Sequence, residues 1–140
     1  MKILVAADGS AYTKRMLGYL TAHDELLGSH HDYTVITAVM AVPPHAASAL
    51  DRELLKSYYA DEADKVFKPI RSFLAKQGIA ANYVSKVGPA ADLICKQASA
   101  GRFDMIIMGS HGYGTLTNLV LGSVASKVLA GCKTPVLIVR

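Results

Sequence analysis

Short apolar segments alternate with longer amphipathic segments from one end of this chain to the other. The first, residues 2–7, is too short for a helix and runs into Asp8-Gly9-Ser10, a loop and helix-cap sequence. Further segments of this kind are predicted as strands at 33–40, 80–87, 103–108 and 135–139. Strands separated by helices form right-handed βαβ units, which give a parallel sheet with helices on both faces. The alternation predicts an open α/β fold in a single domain, residues 1–140.

Amphipathic segments at 11–27, 48–77, 89–100 and 123–130 are predicted as the helices, and each ends near a glycine. In the long segment the apolar positions at helical spacing are Leu50, Leu54, Tyr58, Val66, Ile70 and Leu74. Pro69 is expected to bend or break this helix, because proline lacks an N–H donor and clashes with the preceding turn. In the last segment the spacing places Val124, Val128 and Leu129 on one side.

A glycine-rich loop follows the predicted fourth strand. Residues 109–114 contain three glycines, and Gly122-Ser123 begin the last periodic segment ten residues after Gly112. Glycines allow a backbone to approach an anion closely, and the start of a helix offers unpaired N–H groups with a partial positive charge. The pattern therefore predicts a phosphate-binding site.

Two better-known phosphate motifs do not fit this loop. A P-loop requires a lysine directly after Gly114, where the chain has Thr115 and Leu116. The dinucleotide fingerprint opens the first helix of a fold, and Thr117 stands where its third glycine belongs. Ligands of open α/β sheets bind beyond the carboxyl ends of the strands, where the strand order reverses. If the order is 3-2-1-4-5, the loop at Asp8 and the glycine-rich loop flank that point.

The remaining pattern, Gly-x2-Gly-x9-Gly-Ser, resembles that of universal stress proteins of the ATP-binding type. The resemblance covers the whole chain and includes residues 3–10, 88–90, 104–110 and 134–139. It implies a Rossmann-like fold of the adenine nucleotide alpha hydrolase type, with a five-stranded parallel sheet in the order 3-2-1-4-5. The chain departs from the family in its first loop, where Ala6 and Ala7 precede Asp8 and the family often has a proline.

The resemblance also implies an adenine nucleotide site. Backbone N–H groups of Ser123 and Val124 would meet the phosphates, and Asp8 would lie near the ribose or a phosphate-bound metal. Val39, at the end of the second strand, matches the residue whose backbone faces the adenine edge. The complete implied set is Ala7, Asp8, Val39, Met108, Gly109, Ser110, His111, Gly112, Gly122, Ser123 and Val124.

Function follows from the same resemblance. The implied ligand is ATP, or AMP or ADP, with Mg or Mn as the metal. No nucleophile is evident, since Ser123 has no base partner in the sequence, so we expect at most slow hydrolysis. We expect a nucleotide-responsive regulator of the stress response in which ATP orders the loop 109–122. The apolar final strand would be an exposed sheet edge in a monomer, which predicts a homodimer through that strand.

Other interpretations remain open. A tight turn alone would explain Gly109 and Gly112, and a role as helix N-cap alone would explain Ser123. Asp8 can be a helix cap, or a phosphate acceptor as in a receiver domain, although the first loop lacks the paired acidic residues that would hold its metal. The alternatives to a nucleotide-binding protein are a dimeric interaction scaffold with an empty pocket and a flavin or electron-transfer subunit.

Composition restricts the classes of partner and the cellular compartment that this chain suits. The net charge is +4, and the 15 lysines and arginines form no run, which argues against nucleic acid. Cys95 and Cys132 have no metal-ligand spacing, which favours a reducing cytoplasm, and we expect Cys95 to be a core thiol. The five histidines form no helical pair that would bind a metal. No secretory signal and no stretch long enough to span a membrane is visible.

Overall fold

The computed structural model describes residues 1–114 and 118–140. Its strands form one parallel sheet in the order β3-β2-β1-β4-β5, which confirms the predicted α/β fold and strand order. The strands are β1 Lys2–Ala6, β2 Asp32–Val39, β3 Ala81–Val87, β4 Met105–Gly109 and β5 Val136–Val139. The helices are α1 Ala11–Ala22, α2 Asp24–Leu27, α3 Pro44–Ala47, α4 Arg52–Lys76, α5 Ala90–Ala100 and α6 Ser123–Gly131.

The central strand β1 supplies side chains to both faces of the sheet. Ile3 and Val5 pack on the side covered by α1 and α4, and Leu4 packs on the side covered by α5 and α6. All three are at most 1% exposed. Successive side chains of a strand point to opposite faces, so an uninterrupted apolar run requires cover on both. The expected layer architecture is confirmed.

The predicted helix 11–27 is wrong as a single element, because the structure divides it into α1 and α2. His23 separates them with φ −118° and ψ 55°, outside the helical range. Its ring Nδ1 lies 2.8 Å from the Tyr19 carbonyl oxygen, and the His23 carbonyl oxygen accepts the Leu27 N–H at 2.8 Å. Asp24 and Glu25 occupy the first turn of α2, where the partial positive charge of a helix start favours acidic residues.

Pro69 does not break the long helix, since α4 continues on both sides of it to Lys76. Phe67 and Ile70 flank the proline and are buried at 5% and 2% exposure. Packing against the sheet holds the helix through the residue that lacks a donor, because tertiary contacts supply most of a helix's stability. The segment before Arg52 was predicted as part of this helix but lies outside it, and α3 precedes it as a separate short helix.

The last helix differs from its prediction in two details. Gly122 is the N-cap of α6 and Ser123 is its first residue, so Ser123 does not serve as the N-cap. Val128 is fully buried, whereas Leu129 is 46% exposed and does not share its side. Other element ends lie within two residues of the predicted ones. In the part of the chain that the structure describes, no helix has both the length and the apolar character needed to span a membrane.

Candidate functional site

A cavity of about 340 Å³ opens between the carboxyl ends of β1 and β4 and the start of α6. This volume lies in the range of small-molecule sites, about 300–1,000 Å³. The order of the sheet reverses between β1 and β4, so the cavity occupies the point where ligands of open α/β folds bind. We call it the glycine-loop cavity, and its lining comprises Ala6, Ala7, Asp8, Thr13, Ile36, Ala38, Ala90, Ile94, Met108, Gly109, His111, Gly112, Tyr113, Gly114, Gly122, Ser123, Val124 and Ala125.

One carboxylate oxygen of Asp8 is fixed by the start of α1. Asp8 Oδ1 accepts a hydrogen bond from the Thr13 hydroxyl at 3.0 Å and another from the Ser10 N–H at 2.9 Å. The Thr13 Oγ1 atom in turn accepts from the N–H groups of Asp8 and Gly9, each at 3.2 Å. Gly9 has φ +81°, a left-handed conformation that glycine adopts without strain. The turn therefore holds the Asp8 side chain in one orientation.

The second carboxylate oxygen of Asp8 faces the glycine-rich loop. A Cβ atom added to Gly112 would lie 2.5 Å from Asp8 Oδ2, closer than any real contact of a Cβ atom. A Cβ on Gly109 would lie 2.8 Å from the Cβ of Tyr12 in α1. Both glycines are thus required by the close approach of the two loops at this point. The close approach brings the acidic oxygen and the loop backbone to the same side of the cavity.

The start of α6 presents unpaired donors to the cavity. Gly122 donates its N–H to the Ser110 carbonyl oxygen at 2.7 Å, and its own carbonyl accepts the Ser126 N–H at 3.0 Å. Within residues 1–114 and 118–140, the N–H groups of Ser123 and Val124 have no acceptor. Both residues line the cavity. Unpaired N–H groups at a helix N-terminus, together with the helix dipole, form a binding site for an anion.

His111 is held by the loop itself. Its Nε2 atom lies 2.8 Å from the Leu119 carbonyl oxygen, and its Nδ1 atom lies 2.9 Å from the Ser110 hydroxyl oxygen. A carbonyl only accepts, so Nε2 carries the proton, and in a neutral ring Nδ1 accepts from the serine. The ring also packs against Tyr12, with 5.1 Å between the ring centroids. Both nitrogens are therefore engaged within the chain, and the imidazole braces the loop.

The inner end of the cavity is apolar. Ile36, Ala38, Ala90, Ile94 and Met108 line it from β2, α5 and β4. Two of the five are alanines, whose small side chains leave space between the sheet and α5. Lining of this kind suits the apolar part of a small ligand, and the polar groups of Asp8 and the start of α6 suit its polar part.

Residues 1–140 match the model of the Universal stress protein family. The chain belongs to this family. A relative from Thermus aquaticus, the universal stress protein in the QAH/OAS sulfhydrylase 3'region, is 32% identical over 139 residues, which cover 99% of this chain and 97% of the relative.

Solved structures of universal stress proteins share the fold. The structure of MJ0577, a protein of Methanocaldococcus jannaschii, matches this chain with a TM-score of 0.81 and 28% identity. The match covers 99% of this chain and 94% of the MJ0577 chain. The universal stress protein from Archaeoglobus fulgidus in complex with dAMP matches 100% of this chain and 98% of its own, with a TM-score of 0.69 and 21% identity. At the latter identity the likeness concerns the fold.

Two of the residues implied by the universal stress protein pattern do not line the glycine-loop cavity. Ser110 is 1% exposed and lies beneath the loop, where its N–H donates to the Val139 carbonyl oxygen at 2.8 Å. Val39 lies on the opposite face of β2, and its carbonyl oxygen accepts the Gly88 N–H at 3.0 Å. Its neighbour Ala38 lines the cavity instead. The other implied residues meet there: Ala7, Asp8, Met108, Gly109, His111, Gly112, Gly122, Ser123 and Val124.

Sequence reasoning missed Thr13 and the apolar lining. Thr13 belongs to the stripe that continues with Met16, Leu17 and Leu20, and it is 5% exposed. A hydroxyl in an apolar helical stripe, in the first turn after an acidic loop residue, is the signal that identifies it. The small residues Ala38 and Ala90 carry no chemical signature, so only the fold reveals them.

Of the described residues that line the glycine-loop cavity, Asp8 is the single carboxylate. In the described ranges, residues 1–114 and 118–140, no cluster of three or more His, Cys, Asp or Glu side chains forms a metal site. Mg²⁺ bound to a nucleotide commonly takes one or two carboxylates and fills its other positions with phosphate oxygens and water. Asp8 Oδ2 fits that role, and a cation there would neutralise phosphate charge.

The two cysteines come together away from this cavity, on the side of the sheet covered by α5 and α6. Both are partly buried and pack against the core on that side of the sheet, which agrees with the prediction of a core thiol at Cys95. Burial, and then the hydrogen bond and charge interaction with Cys132, raise the pKa of the Cys95 thiol to about 11. A thiol with such a pKa holds little thiolate near neutral pH, which makes it a poor nucleophile.

Proposed function

We propose that this protein binds an adenine nucleotide, ATP in the first place, in the glycine-loop cavity. The observation that carries the proposal is the pairing of unsatisfied N–H groups at Ser123 and Val124 with a fixed carboxylate at Asp8, across one cavity with an apolar inner end. The adenine would occupy the apolar slot, and the phosphates would meet the start of α6. The dAMP complex of the Archaeoglobus fulgidus protein supports a nucleotide of this class.

The nucleotide acts as a regulatory ligand in this proposal, and hydrolysis is at most slow. Of the described residues that line the cavity, Asp8 is the only carboxylate and His111 is the only imidazole. The imidazole is engaged by Ser110 and Leu119, and Asp8 is placed to bind the ribose or a cation. No group is thereby left to activate a water for attack on the terminal phosphate.

ATP would change the surface of the protein by ordering the loop 109–122. Its phosphates would join the loop to α6, whose first N–H groups are unpaired in the described chain. Residues 115–117, in the middle of this loop, lie outside the described residues. A partner in the stress response would then distinguish the two states through the loop surface, because a ligand shifts an equilibrium by its differential affinity for the two states.

We further propose a homodimer that pairs β5 with its counterpart. β5 is at the edge of the sheet, with β4 as its neighbour, and Val136, Leu137 and Ile138 are only partly buried. An exposed apolar edge strand is normally covered, and a two-fold axis would cover both copies at once. Light scattering at micromolar concentration should give the mass of a dimer, and a monomer would contradict this pairing.

Calorimetric titration of matched glycine variants tests the nucleotide site. Gly112→Ala would drive a Cβ into Asp8 Oδ2, whereas a Cβ at Gly18, which is exposed in α1 and outside the cavity lining, meets nothing within 4 Å. We expect Gly112→Ala to weaken ATP binding at least tenfold and Gly18→Ala to leave it within twofold. Titration with ADP, AMP and GTP then defines the specificity. Equal affinities for both variants, or no binding by the wild type at millimolar ATP, would favour a dimeric scaffold without a nucleotide.

A further inference from the structure

A second cavity, of about 450 Å³, lies on the opposite face of β2 from the glycine-loop cavity. It opens between the first turns of α4 and the carboxyl ends of β2 and β3. We call it the α4 cavity, and its lining comprises Val39, Arg52, Leu55, Lys56, Tyr59, Ala60, Ser85 and Val87. It is open to solvent and lies at strand ends, where α/β proteins bind ligands.

The α4 cavity begins where the residues of α4 that face the sheet change from buried apolar side chains to exposed, charged ones. In the second half of the helix, the residues that face the sheet are Ala63, Phe67, Ile70 and Leu74, at a spacing of three or four and all at most 5% exposed. The same spacing continued toward the start of the helix passes through Ala60 and reaches Lys56 and Arg52. Two cations thus lie on the continuation of the stripe, where the structure leaves both side chains exposed.

These cations have no carboxylate partner in residues 1–114 and 118–140. The ion pair that this part of the chain does contain joins Lys65 to Glu62, about two to three turns further along α4. The described lining of the α4 cavity includes no Asp or Glu, and the positive end of the α4 dipole lies beside it. The cavity is therefore positively charged over an apolar floor.

The floor is fixed by the structure around it. Val39 and Val87 face each other in the register of β2 and β3, and Leu55 is partly buried above them. Tyr59 is oriented by its hydroxyl, which accepts the Val42 N–H at 2.9 Å and so ties the chain after β2 to α4. This wall leaves an apolar space bounded by guanidinium and ammonium groups.

We propose that the α4 cavity binds a small carboxylate with an apolar body, as a site separate from the nucleotide. The planar guanidinium of Arg52 would hold the carboxylate through paired N–H···O bonds, and Lys56 would add a second charge. The apolar body would lie against Val39, Leu55 and Val87, whose side chains would lose contact with water. Charge complementarity selects the occupant, since a neutral or cationic molecule of the same shape gains nothing from the two cations.

Methyl NMR titration with octanoate tests this site. We expect saturable shifts confined to the methyl groups of Val39, Leu55 and Val87. Octanol, which has the same chain length without the charge, should bind at least tenfold more weakly. Shifts that do not saturate, or octanol binding as tightly as octanoate, would overturn the proposal.

Charge variants of α4 provide the matched control. Arg52→Gln combined with Lys56→Gln should weaken octanoate binding at least tenfold. Lys68→Gln combined with Lys76→Gln removes the same charge from exposed positions of the same helix outside the cavity, and binding should stay within twofold. Equal weakening by both pairs of substitutions would show that only the net charge of the protein matters, and it would overturn the proposed site. Ser85→Leu should also abolish binding by filling the cavity, while a dispersed methyl spectrum confirms that this variant folds.

Discussion

The glycine-loop cavity and the α4 cavity lie on opposite faces of the same strand end, with Ala38 on one side and Val39 on the other. In the first cavity the polar groups are fixed by hydrogen bonds, as Asp8 is by Thr13 and Ser10. In the second they are flexible cations on the first turns of α4. The first is pre-organised for a ligand of defined shape, and the second suits a ligand selected by charge and apolarity.

The difference extends to the elements that bound them. The second half of α4 is buried against the sheet, whereas Leu50, just before α4, and Leu54 and Tyr58 in its first half are 39%, 58% and 45% exposed. Apolar residues recur at helical spacing in both halves of the sequence, yet only one half is covered. Apolar periodicity thus predicts a helix, but burial depends on whether the sheet extends beneath it.

The largest expected effect contrasts the two halves of α4. Phe67 is 5% exposed and its ring lies 5.3 Å from that of Tyr83, while Leu54 is 58% exposed. We expect Phe67→Ala to lower the free energy of unfolding by about 3–5 kcal/mol, since it removes a buried ring and leaves a cavity. Leu54→Ala should change it by less than about 0.5 kcal/mol. Urea unfolding measures both, and similar costs would contradict the unequal packing.

The next effect distinguishes the two cavities. Gly122→Glu would place a Cβ 3.1 Å from the His111 Cα and a negative charge near the start of α6. ATP affinity should fall at least 100-fold, while octanoate binding in the α4 cavity stays within twofold. Gly18→Glu makes the same change at an exposed site with open space around the Cβ and should leave both affinities unchanged. If Gly122→Glu left ATP affinity unchanged, this would contradict the proposal that the phosphates bind at the start of α6.

A smaller effect tests the pre-organisation of Asp8. Thr13→Val keeps the shape of the side chain but removes the hydroxyl that donates to Asp8 Oδ1. We expect ATP affinity to fall about tenfold, because the carboxylate loses a charge-assisted hydrogen bond. Thr13→Ser retains the hydroxyl and should stay within threefold of the wild type by calorimetry. If the valine variant binds like the serine variant, the hydrogen bond does not orient the site.

The smallest effect concerns the independence of the two cavities. Arg52→Gln combined with Lys56→Gln should leave ATP affinity within twofold, because both residues line only the α4 cavity. The same calorimetric titration measures it. A larger loss would mean that the cations act on the nucleotide through β2, and the two cavities would then form one coupled site.

The sequence predicts the sheet well because its signals are local. Short apolar runs bounded by glycine, proline or aspartate define strands within two residues, and the glycine pattern locates one wall of the cavity. The break at His23 and the continuous helix through Pro69 escape such signals. Both depend on tertiary contacts: the first on the packing of Leu27, which is fully buried, and the second on Phe67 and Ile70.

The site is predicted in part for the same reason. Asp8, Gly112 and Ser123 carry recognisable chemistry and meet at one cavity. Thr13 and Ala38 do not, since a threonine in a helix and an alanine in a strand are common in any protein. Their roles arise from position: one lies beneath Asp8, and the other faces the space that α5 leaves over β2. The topology of the fold determines these two roles, and the order of residues along the chain does not reveal them.

Calorimetric titration of the wild-type protein with ATP tests the central claim most directly. We expect saturable binding of one nucleotide per chain, with affinity for AMP retained in part through the apolar slot at Ala38 and Met108. Absence of heat at millimolar ATP, together with no adenine absorbance released on denaturing the purified protein, would contradict a nucleotide site between Asp8 and the start of α6.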